Sequence, residues 1–285
     1  MLKYSFAPKI ANLLYPPDYI IIGYYFCLES TALYVEIKHI KTGIYMAVFA
    51  ISDLHLPGGA NINKSMERFG SRWLDHKNKI ERCWRAVVSD CDTVIIPGDI
   101  SWAMTEDEAA EDLIFIDSLP GRKIIGRGNH DFWWSTLKKL NALGQRRGIK
   151  SIEYLQNNAF AAENFVICGS RGWFFDAASQ ADIYDTDYKK LADREAARLE
   201  LSIKAGLVIT GGDIAPLRIF LHFPGALFGD ECTEIFNIIK KYGLEHVYFG
   251  HIHGNYDIPR SYIYHDVEFI CVSADYLNFT PALVR

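Results

Sequence analysis

The sequence has no Cys-x-x-Cys pair, and its six cysteines are scattered over 285 residues. In a chain of this length, such scatter is typical of reduced, buried thiols rather than of a disulfide framework. We therefore expect a cytoplasmic protein. None of the cysteines lies in the polar motifs described below, so thiolate chemistry plays no part in the hypotheses built on those motifs.

The chain also lacks an excess of positive charge. Its 30 lysines and arginines are outnumbered by 35 aspartates and glutamates, which gives a net charge of -5. Without a large positive field, a protein does not attract polyanions regardless of their sequence. We expect no obligate nucleic-acid partner, although a local basic groove stays open as an alternative.

Long hydrophobic runs are absent as well. The apolar segment 19–28 is far shorter than the roughly 20 residues that a membrane-spanning helix needs, so we expect no membrane partner. Residues 1–45 are predicted to form an N-terminal extension of uncertain status. Three interpretations stay open, namely an over-long start, a disordered segment, and an added β element in which residues 33–40 alternate. Without internal repeats or linkers, residues 46–285 are predicted to form one main domain.

From residue 46 onward, short apolar runs alternate with helical patterns, which predicts an α/β fold. Three of these runs end in polar motifs. Residues 47–51 lead to Asp53 and His55, residues 93–96 lead to Gly98-Asp99, and residues 123–125 lead to Asn129-His130-Asp131. In open α/β sheets, ligands gather at the carboxyl ends of the strands. The motifs therefore lie where that rule predicts a site.

Further elements follow from the same patterns. A hairpin is predicted over 158–168, and two strands, 217–221 and 246–249, lead to His222 and to Gly250-His251-Ile252-His253. Thr105 and Glu108 form a predicted capping box at the start of the second helix. The predicted helices span residues 71–88, 105–119, 131–143, 184–205 and 232–242.

Five of the nine histidines directly follow predicted strands. Taken singly, each motif is weak, because a histidine in a loop is most often solvated. Their conjunction with carboxylates and an amide predicts a metal site. Imidazole, carboxylate and amide ligands without thiolate suit Mn, Fe, Zn, Ni or Co, so we predict two divalent ions of this group as cofactors. The candidate ligands are Asp53, His55, Asp99, Asn129, His222, His251 and His253.

One aspartate placed between two cations can bridge them at roughly 3.5 to 4 Å, and Asp99 is the candidate for this bridge. Two such ions polarise phosphoryl oxygens and lower the pKa of a shared water, which yields a bridging hydroxide that attacks phosphorus. His130 is the candidate to assist the leaving group, with Asp131 as the carboxylate that orients it. Alternatively, Asp131 caps a helix that begins at Phe132.

These motifs, in their order and rough spacing, resemble the calcineurin-like metallophosphoesterases, in particular single-domain bacterial phosphohydrolases. The resemblance implies a four-layer αββα sandwich of two mixed β-sheets with a dinuclear site at one end. It also implies that Asp53, His55 and His253 hold the first metal, and that Asp99 bridges. The second metal would be held by Asn129, His222 and His251, and His130 would contact the substrate phosphate.

Many members of this family have a polar or acidic residue three positions after this aspartate, whereas here Asp99 is followed by Ile100, Ser101 and Trp102. Trp102 is a candidate wall of the pocket, and ordinary aromatic packing is the alternative. Arg127 and Arg171 are candidate phosphate contacts, with surface salt bridges as the alternative.

The predicted function is metal-dependent hydrolysis of a phosphate ester. Two alternatives stay open. One is a phosphodiesterase or nuclease acting on nucleic acid, which would need a cationic track. The other is an interaction scaffold without catalysis on the same fold.

Overall fold

The computed structural model describes residues 46–59, 66–173, 188–227 and 229–285. Across these ranges, no helix has the length and apolar character that spanning a bilayer requires. The predicted N-terminal extension, including the possible β element at 33–40, lies outside the described residues. The boundary at residue 46 therefore stays a prediction.

Thirteen strands and five α-helices lie in these described ranges, with two short 3-10 helices at Met66–Phe69 and Ser71–Trp73. In chain order they are β1 (Val48–Ala50), α1 (His76–Val87), β2 (Thr93–Ile96), α2 (Glu106–Ser118), β3 (Arg122–Ile125), α3 (Leu137–Arg147), β4 (Ile152–Tyr154), β5 (Phe160–Ala162), β6 (Phe165–Ser170), α4 (Tyr188–Thr210), β7 (Leu217–Leu221), β8 (Ala226–Leu227), β9 (Asp230–Glu231), α5 (Thr233–Lys241), β10 (His246–Phe249), β11 (Ser261–Tyr264), β12 (Val267–Cys271) and β13 (Ala282–Leu283).

The strands form two large mixed sheets and a small ribbon. In the first sheet, the order is β13-β1-β2-β3-β4, with β1 to β4 parallel and β13 antiparallel. In the second sheet, the order is β11-β12-β10-β7-β6-β5, and the two edge strands are antiparallel to a parallel centre. Strands β8 and β9 pair separately. Parallel neighbours require crossover connections, and the helices supply most of them.

Alternation along β1 shows how the layers are organised. Val48 and Ala50 lie in the core between the two sheets, whereas Phe49 and Ile51 pack with α1, α2 and α3 on the outer face. On the far side, α4 and α5 cover the second sheet. Between the sheets, Phe220 stacks on Tyr248 with ring centroids 4.9 Å apart. The layers are thus helix, sheet, sheet, helix, which confirms the predicted αββα sandwich.

All five predicted helices are present, but two of them begin well after the predicted first residue. The capping box of Thr105 and Glu108 is present at the start of α2. The helix predicted from residue 131 instead begins at Leu137, where the Thr136 side chain accepts a hydrogen bond from the Lys139 N–H. The helix predicted from residue 71 begins at His76, after the two 3-10 turns. The interpretation of Asp131 as a helix cap is therefore wrong.

Candidate active site

The candidate residues follow five parallel strands directly. Asp53 and His55 follow β1, Asp99 follows β2, and Asn129 and His130 follow β3 in the first sheet; His222 follows β7, and His251 and His253 follow β10 in the second. The carboxyl ends of neighbouring parallel strands share one edge of a sheet. The two sheets therefore bring both sets of motifs to the same end of the sandwich.

Backbone geometry at these turns is unusual. Asp53, His55, Asp99 and His251 all have positive φ angles, of 57°, 43°, 51° and 68°. For residues with a side chain this left-handed conformation is uncommon, and it persists only where the surroundings enforce it. Four of the seven candidate ligands share this conformation, and such strain concentrates at functional sites.

Two glycines allow the ligand loops to approach one another. A Cβ on Gly128 would lie 2.1 Å from Asp99 Oδ1, and a Cβ on Gly250 would lie 2.1 Å from Ser52 Oγ and 2.6 Å from Asp53 Oδ2. These distances are far below van der Waals contact. Glycine is therefore required on both the β3 and β10 loops for the carboxylates to occupy their positions.

Hydrogen bonds join the two sheets at this end. The His251 N–H donates to both carboxylate oxygens of Asp53, at 3.0 and 2.9 Å. The Ser273 hydroxyl donates to Asp53 Oδ2 at 2.9 Å, and the backbones of Ser52 and Ser273 form a parallel bridge. Sequence reasoning missed Ser273, because no motif marks it. Residues from the far sheet thus orient the Asp53 carboxylate.

Asp99 lies at the centre of the cluster. Its Oδ2 is 3.4 Å from His222 Nε2, 3.6 Å from His55 Nε2 and 3.9 Å from His130 Nε2. Its Oδ1 accepts a 2.8 Å hydrogen bond from the His130 N–H. Asp99 Oδ1 therefore fixes the loop that follows β3, and Asp99 Oδ2 faces imidazole rings from both sheets.

The remaining candidates group around this centre. Ligand atoms of Asp53, His55 and His253 lie within 4.8 Å of one another, as do those of Asp53, Asp99 and His222. Asn129 Oδ1 is 2.7 Å from His222 Nε2, and the rings of His222 and His251 have centroids 5.3 Å apart. All seven candidate ligands and His130 thus meet in one cluster.

The donor set fits divalent cations. Asp53 and Asp99 are fully buried, and within the described ranges their ion-pair partners are histidines rather than lysines or arginines. Buried carboxylates without a cation are costly. Both ring nitrogens of His55, Nδ1 of His222 and Oδ2 of Asp99 are buried and have no well-aligned hydrogen-bond partner among the described residues. A bound cation would satisfy such atoms, since a ligand needs a free lone pair.

The protonation states of two histidines suit this interpretation. Burial lowers the pKa of His55 well below its usual value and lowers the pKa of His251 to about 3. Both rings are therefore neutral near pH 7, and neutral imidazole is the form that binds metals. For His222, burial lowers the pKa, but the neighbouring Asp99 carboxylate opposes this effect and raises the pKa overall. The same histidines hold the pKa of Asp99 below its usual value against the effect of burial.

Asp131 holds the loop that carries the candidate acid. Its carboxylate accepts hydrogen bonds from the N–H groups of Gly128, Ile100 and Ser101, and from the indole of Trp133 at 3.0 Å. Burial, aided by the charge of Asp99, raises the pKa of Asp131 to about 6. These bonds tie the β2 and β3 loops together. Its predicted role as the orienting carboxylate for His130 stays a prediction.

Trp102 lies against the histidines of the site. Its ring stacks on His55 with centroids 4.9 Å apart, and it lies 4.5 Å from His130. Its indole N–H points to the sulfur of Met66 at 3.3 Å. The aromatic residue that departs from the usual family pattern after Asp99 therefore forms one wall of the cluster.

The two candidate arginines are tied through the backbone to the ligand loops. Arg127 precedes the Asn129 loop by two residues, and the backbone carbonyl of Arg171 accepts hydrogen bonds from the N–H groups of His222 and Phe223, at 3.2 and 2.9 Å. The Arg171 side chain is 12% exposed and pairs with Glu195, which is 1% exposed. The surface salt bridge considered for Arg171 is therefore wrong, because the pair is buried.

The motif order of the chain matches a known protein family. The family model for calcineurin-like phosphoesterases matches residues 46–255. The chain belongs to the calcineurin-like phosphoesterase family. As a member, it is a calcineurin-like metallophosphoesterase and acts on a phosphate ester, which confirms the predicted enzyme class.

Other comparisons with this phosphoesterase are more distant. No curated protein is similar enough in sequence to count as a match. Among solved structures, phosphopantetheinyl hydrolase from Mycobacterium tuberculosis is 16% identical, with 84% of this chain and 95% of that chain covered and a TM-score of 0.48. A protein of unknown function from Aquifex aeolicus is 15% identical, with 84% and 96% covered and a TM-score of 0.42. A protein from Thermus thermophilus is 12% identical, with 84% and 98% covered and a TM-score of 0.47.

Proposed function

We propose that this phosphoesterase hydrolyses its substrate at a dinuclear metal site built from the seven candidate ligands. Asp53, His55 and His253 would hold one ion, Asn129, His222 and His251 would hold the other, and Asp99 would contact both. Two such ions would polarise the phosphoryl oxygens and lower the pKa of a bound water. Manganese belongs to the candidate group with iron, zinc, nickel and cobalt, because the donor atoms are nitrogen and oxygen.

One observation carries this proposal. Asp99 Oδ2 lies within 3.4 to 3.9 Å of imidazole nitrogens from β1, β3 and β7 loops, in a buried cluster. A carboxylate oxygen that faces candidate ligand side chains from both sheets can contact two ions at once, as a bridging ligand does. The rigid loops would then hold the phosphoryl group for in-line attack without a large rearrangement.

His130 is placed to act on the substrate rather than on a metal. Its side chain is 33% exposed, whereas those of His55 and His222 are 1% and 0% exposed. The hydrogen bond from its N–H to Asp99 Oδ1 fixes its backbone. The partly exposed ring is then positioned to contact the leaving oxygen of a bound substrate. We propose that His130 donates a proton to that oxygen or stabilises its negative charge, with Asp131 holding the loop.

Substrate contacts are proposed for three further residues. Trp102 would line the pocket beside His55 and His130, and Arg127 and Arg171 would pair with phosphate oxygens through their planar guanidinium groups.

We also propose that the protein works in the cytoplasm. The cysteines at 83, 91, 168, 232 and 271 are free thiols, as expected in a reducing compartment, and cell fractionation tests this location.

The experiment that tests the function is a metal and substrate panel. The chain would be stripped of metal with a chelator and reloaded separately with Mn, Co, Ni, Zn and Mg. Each form would be assayed with phosphomonoesters, cyclic and linear phosphodiesters, and single-stranded nucleic acid. We expect binding of close to two ions per chain and hydrolysis of at least one small ester. Activity confined to nucleic acid would favour the nuclease alternative, and substoichiometric metal without hydrolysis would overturn the proposal.

The domain boundary has its own test. We propose that residues 46–285 contain the catalytic domain, because the family model begins at residue 46. Deletion of residues 1–45 should leave kcat/KM and the metal content within about twofold of the full chain, since no candidate ligand is removed. An inactive or aggregated product would show that the N-terminal extension belongs to the folded domain.

A further inference from the structure

A pocket of about 270 Å³ opens beside the candidate metal cluster. Its wall contains three arginines and a single acidic side chain, so the lining carries an excess of positive charge. The residues that line it are Arg127, Trp134, Ser135, Thr136, Leu155, Gln156, Asn157, Ser170, Arg171, Glu195 and Arg198. Two of these residues, Arg127 and Arg171, are the phosphate contacts proposed above, but the proposed metal chemistry assigns no role to Arg198 or to the rest of the pocket.

The chain ties this pocket closely to the metal site. Arg127 lies two residues before the candidate ligand Asn129, which limits the separation of their Cα atoms to about 7 Å. The Arg171 carbonyl accepts the N–H of His222, another candidate ligand. A small molecule with one group at the cluster could therefore place a second group in the pocket.

Glu195 organises the arginines. Its Oε1 accepts hydrogen bonds from Arg198 at 2.8 Å, Arg171 at 3.3 Å and Arg194 at 3.4 Å. Glu195 is 1% exposed and lies on the apolar stripe of α4, between Ala192 and Leu199, where a charge is costly unless it is paired. The carboxylate thus acts as a positioning residue that holds two guanidinium groups in the pocket wall.

The charges in the pocket do not cancel. Three arginines and one carboxylate, that of Glu195, line it, and the charge of Asp131, which is not in the lining, acts on Arg127. Nε of Arg127, Nε of Arg171 and Oε2 of Glu195 are buried and lack a hydrogen-bond partner among the residues the structure describes. The excess of guanidinium groups over carboxylates in the lining favours an anion with several acceptor oxygens.

The remaining wall also favours an anion. Thr136 caps the N-terminus of α3, where the helix dipole favours negative charge. The volume lies near the lower limit of small-molecule pockets, so a group of phosphate size fits better than a whole nucleoside.

We propose that this pocket binds a second phosphate of the substrate, so that the enzyme prefers esters that carry two phosphates a short distance apart. This inference rests on the proposed function, because it supplies the specificity of the same site. In the reaction, water adds to one phosphoryl group and breaks its P–O ester bond. Inorganic phosphate and an alcohol that retains the other phosphate are released.

Alkane-α,ω-diol bisphosphates with linkers of about two to six carbons are the test substrates, and each is paired with the ω-hydroxyalkyl monophosphate of the same length. We measure the ratio of kcat/KM for the two members of each pair in the metal-loaded enzyme. At one or more linker lengths the ratio should exceed about 10, since each charge-assisted hydrogen bond corresponds to roughly tenfold or more. A ratio of about 2, the statistical advantage of two equivalent esters, would overturn the inference and leave the proposed function standing.

The variants Arg198→Gln and Arg194→Gln form a matched pair. Both arginines lie on α4 and bind Glu195, but only Arg198 lines the pocket. Arg198→Gln should reduce the ratio toward 2, whereas Arg194→Gln should keep it. An equal fall in both variants would assign the effect to Glu195 packing and contradict the proposal. If Arg198→Gln fails to fold, Asn157→Asp serves instead, because it adds a repelling carboxylate at an exposed position of the wall without removing a buried bond.

A binding measurement separates this inference from the proposed function. The corresponding alkane bisphosphonates and monophosphonates are not hydrolysed, so calorimetry measures their binding directly. Preferential binding of the bisphosphonate by at least about tenfold, lost in Arg198→Gln, should hold even if no ester is turned over. Hydrolysis without preferential binding of the bisphosphonate would overturn the proposed role of the pocket. Preferential binding of the bisphosphonate without hydrolysis of any ester would overturn the proposed reaction alone. The absence of both would overturn both.

Discussion

Asp99→Ala should abolish phosphoesterase activity and release metal. The substitution removes the carboxylate whose Oδ2 lies among the rings of His55, His130 and His222, and it also removes the acceptor for the His130 N–H. Loss of an outer partner of a metal ligand already costs roughly 10- to 100-fold, so loss of a shared ligand should cost more than about 100-fold. Metal analysis should show fewer than two ions per chain.

Two further variants sharpen this experiment. Asp99→Asn keeps the shape of the side chain and an oxygen for the His130 N–H but removes the charge, so it should also lose metal. Asp92→Asn is the matched control, because Asp92 is also buried and accepts the Ala47 N–H at 2.8 Å, at the end of β2 opposite to the ligand loops. Full turnover in Asp99→Ala with two ions bound would exclude the bridging role.

His130→Ala should keep both metals and slow hydrolysis by roughly 10²- to 10⁴-fold, the range for loss of a positioned acid. The effect should be larger for alkyl phosphates than for p-nitrophenyl phosphate, because the nitrophenolate leaves without a proton. An equal loss with both substrates would indicate charge stabilisation instead of proton donation. Measurements of kcat for both substrates, with metal content, distinguish these roles.

His246→Gln controls for the removal of a half-buried imidazole. His246 lies at the start of β10, near Glu268 at 3.9 Å, at the end of the strand opposite to the candidate ligands. It should leave kcat within about twofold of the unmodified enzyme, as is usual for a substitution remote from the site. Metal loss in His130→Ala would show that His130 is itself a ligand, which would contradict its assignment to the substrate.

Much of the fold could be predicted because its signals are local. The runs that became β1, β2, β3, β7 and β10 are short and mostly apolar, as is typical of strands covered on both faces, and each leads to a polar motif. The capping box of α2 was visible for the same reason, since Thr105 and Glu108 are three residues apart. The helix start near Asp131 was wrong because a carboxylate before an apolar run looks like a cap, whereas Asp131 binds N–H groups of two separate loops.

The sequence by itself determined which donor atoms the site contains and that they lie at strand ends, because both follow from residue type and from short periodic patterns. Only the tertiary structure decided which side chains meet. Ser273 donates a hydrogen bond to Asp53, 220 residues away in the sequence. Glu195 on α4 accepts one from Arg171, which follows β6 and is 24 residues away. Contacts of this kind depend on the order of strands in each sheet and on how the two sheets stack, and no local pattern records either.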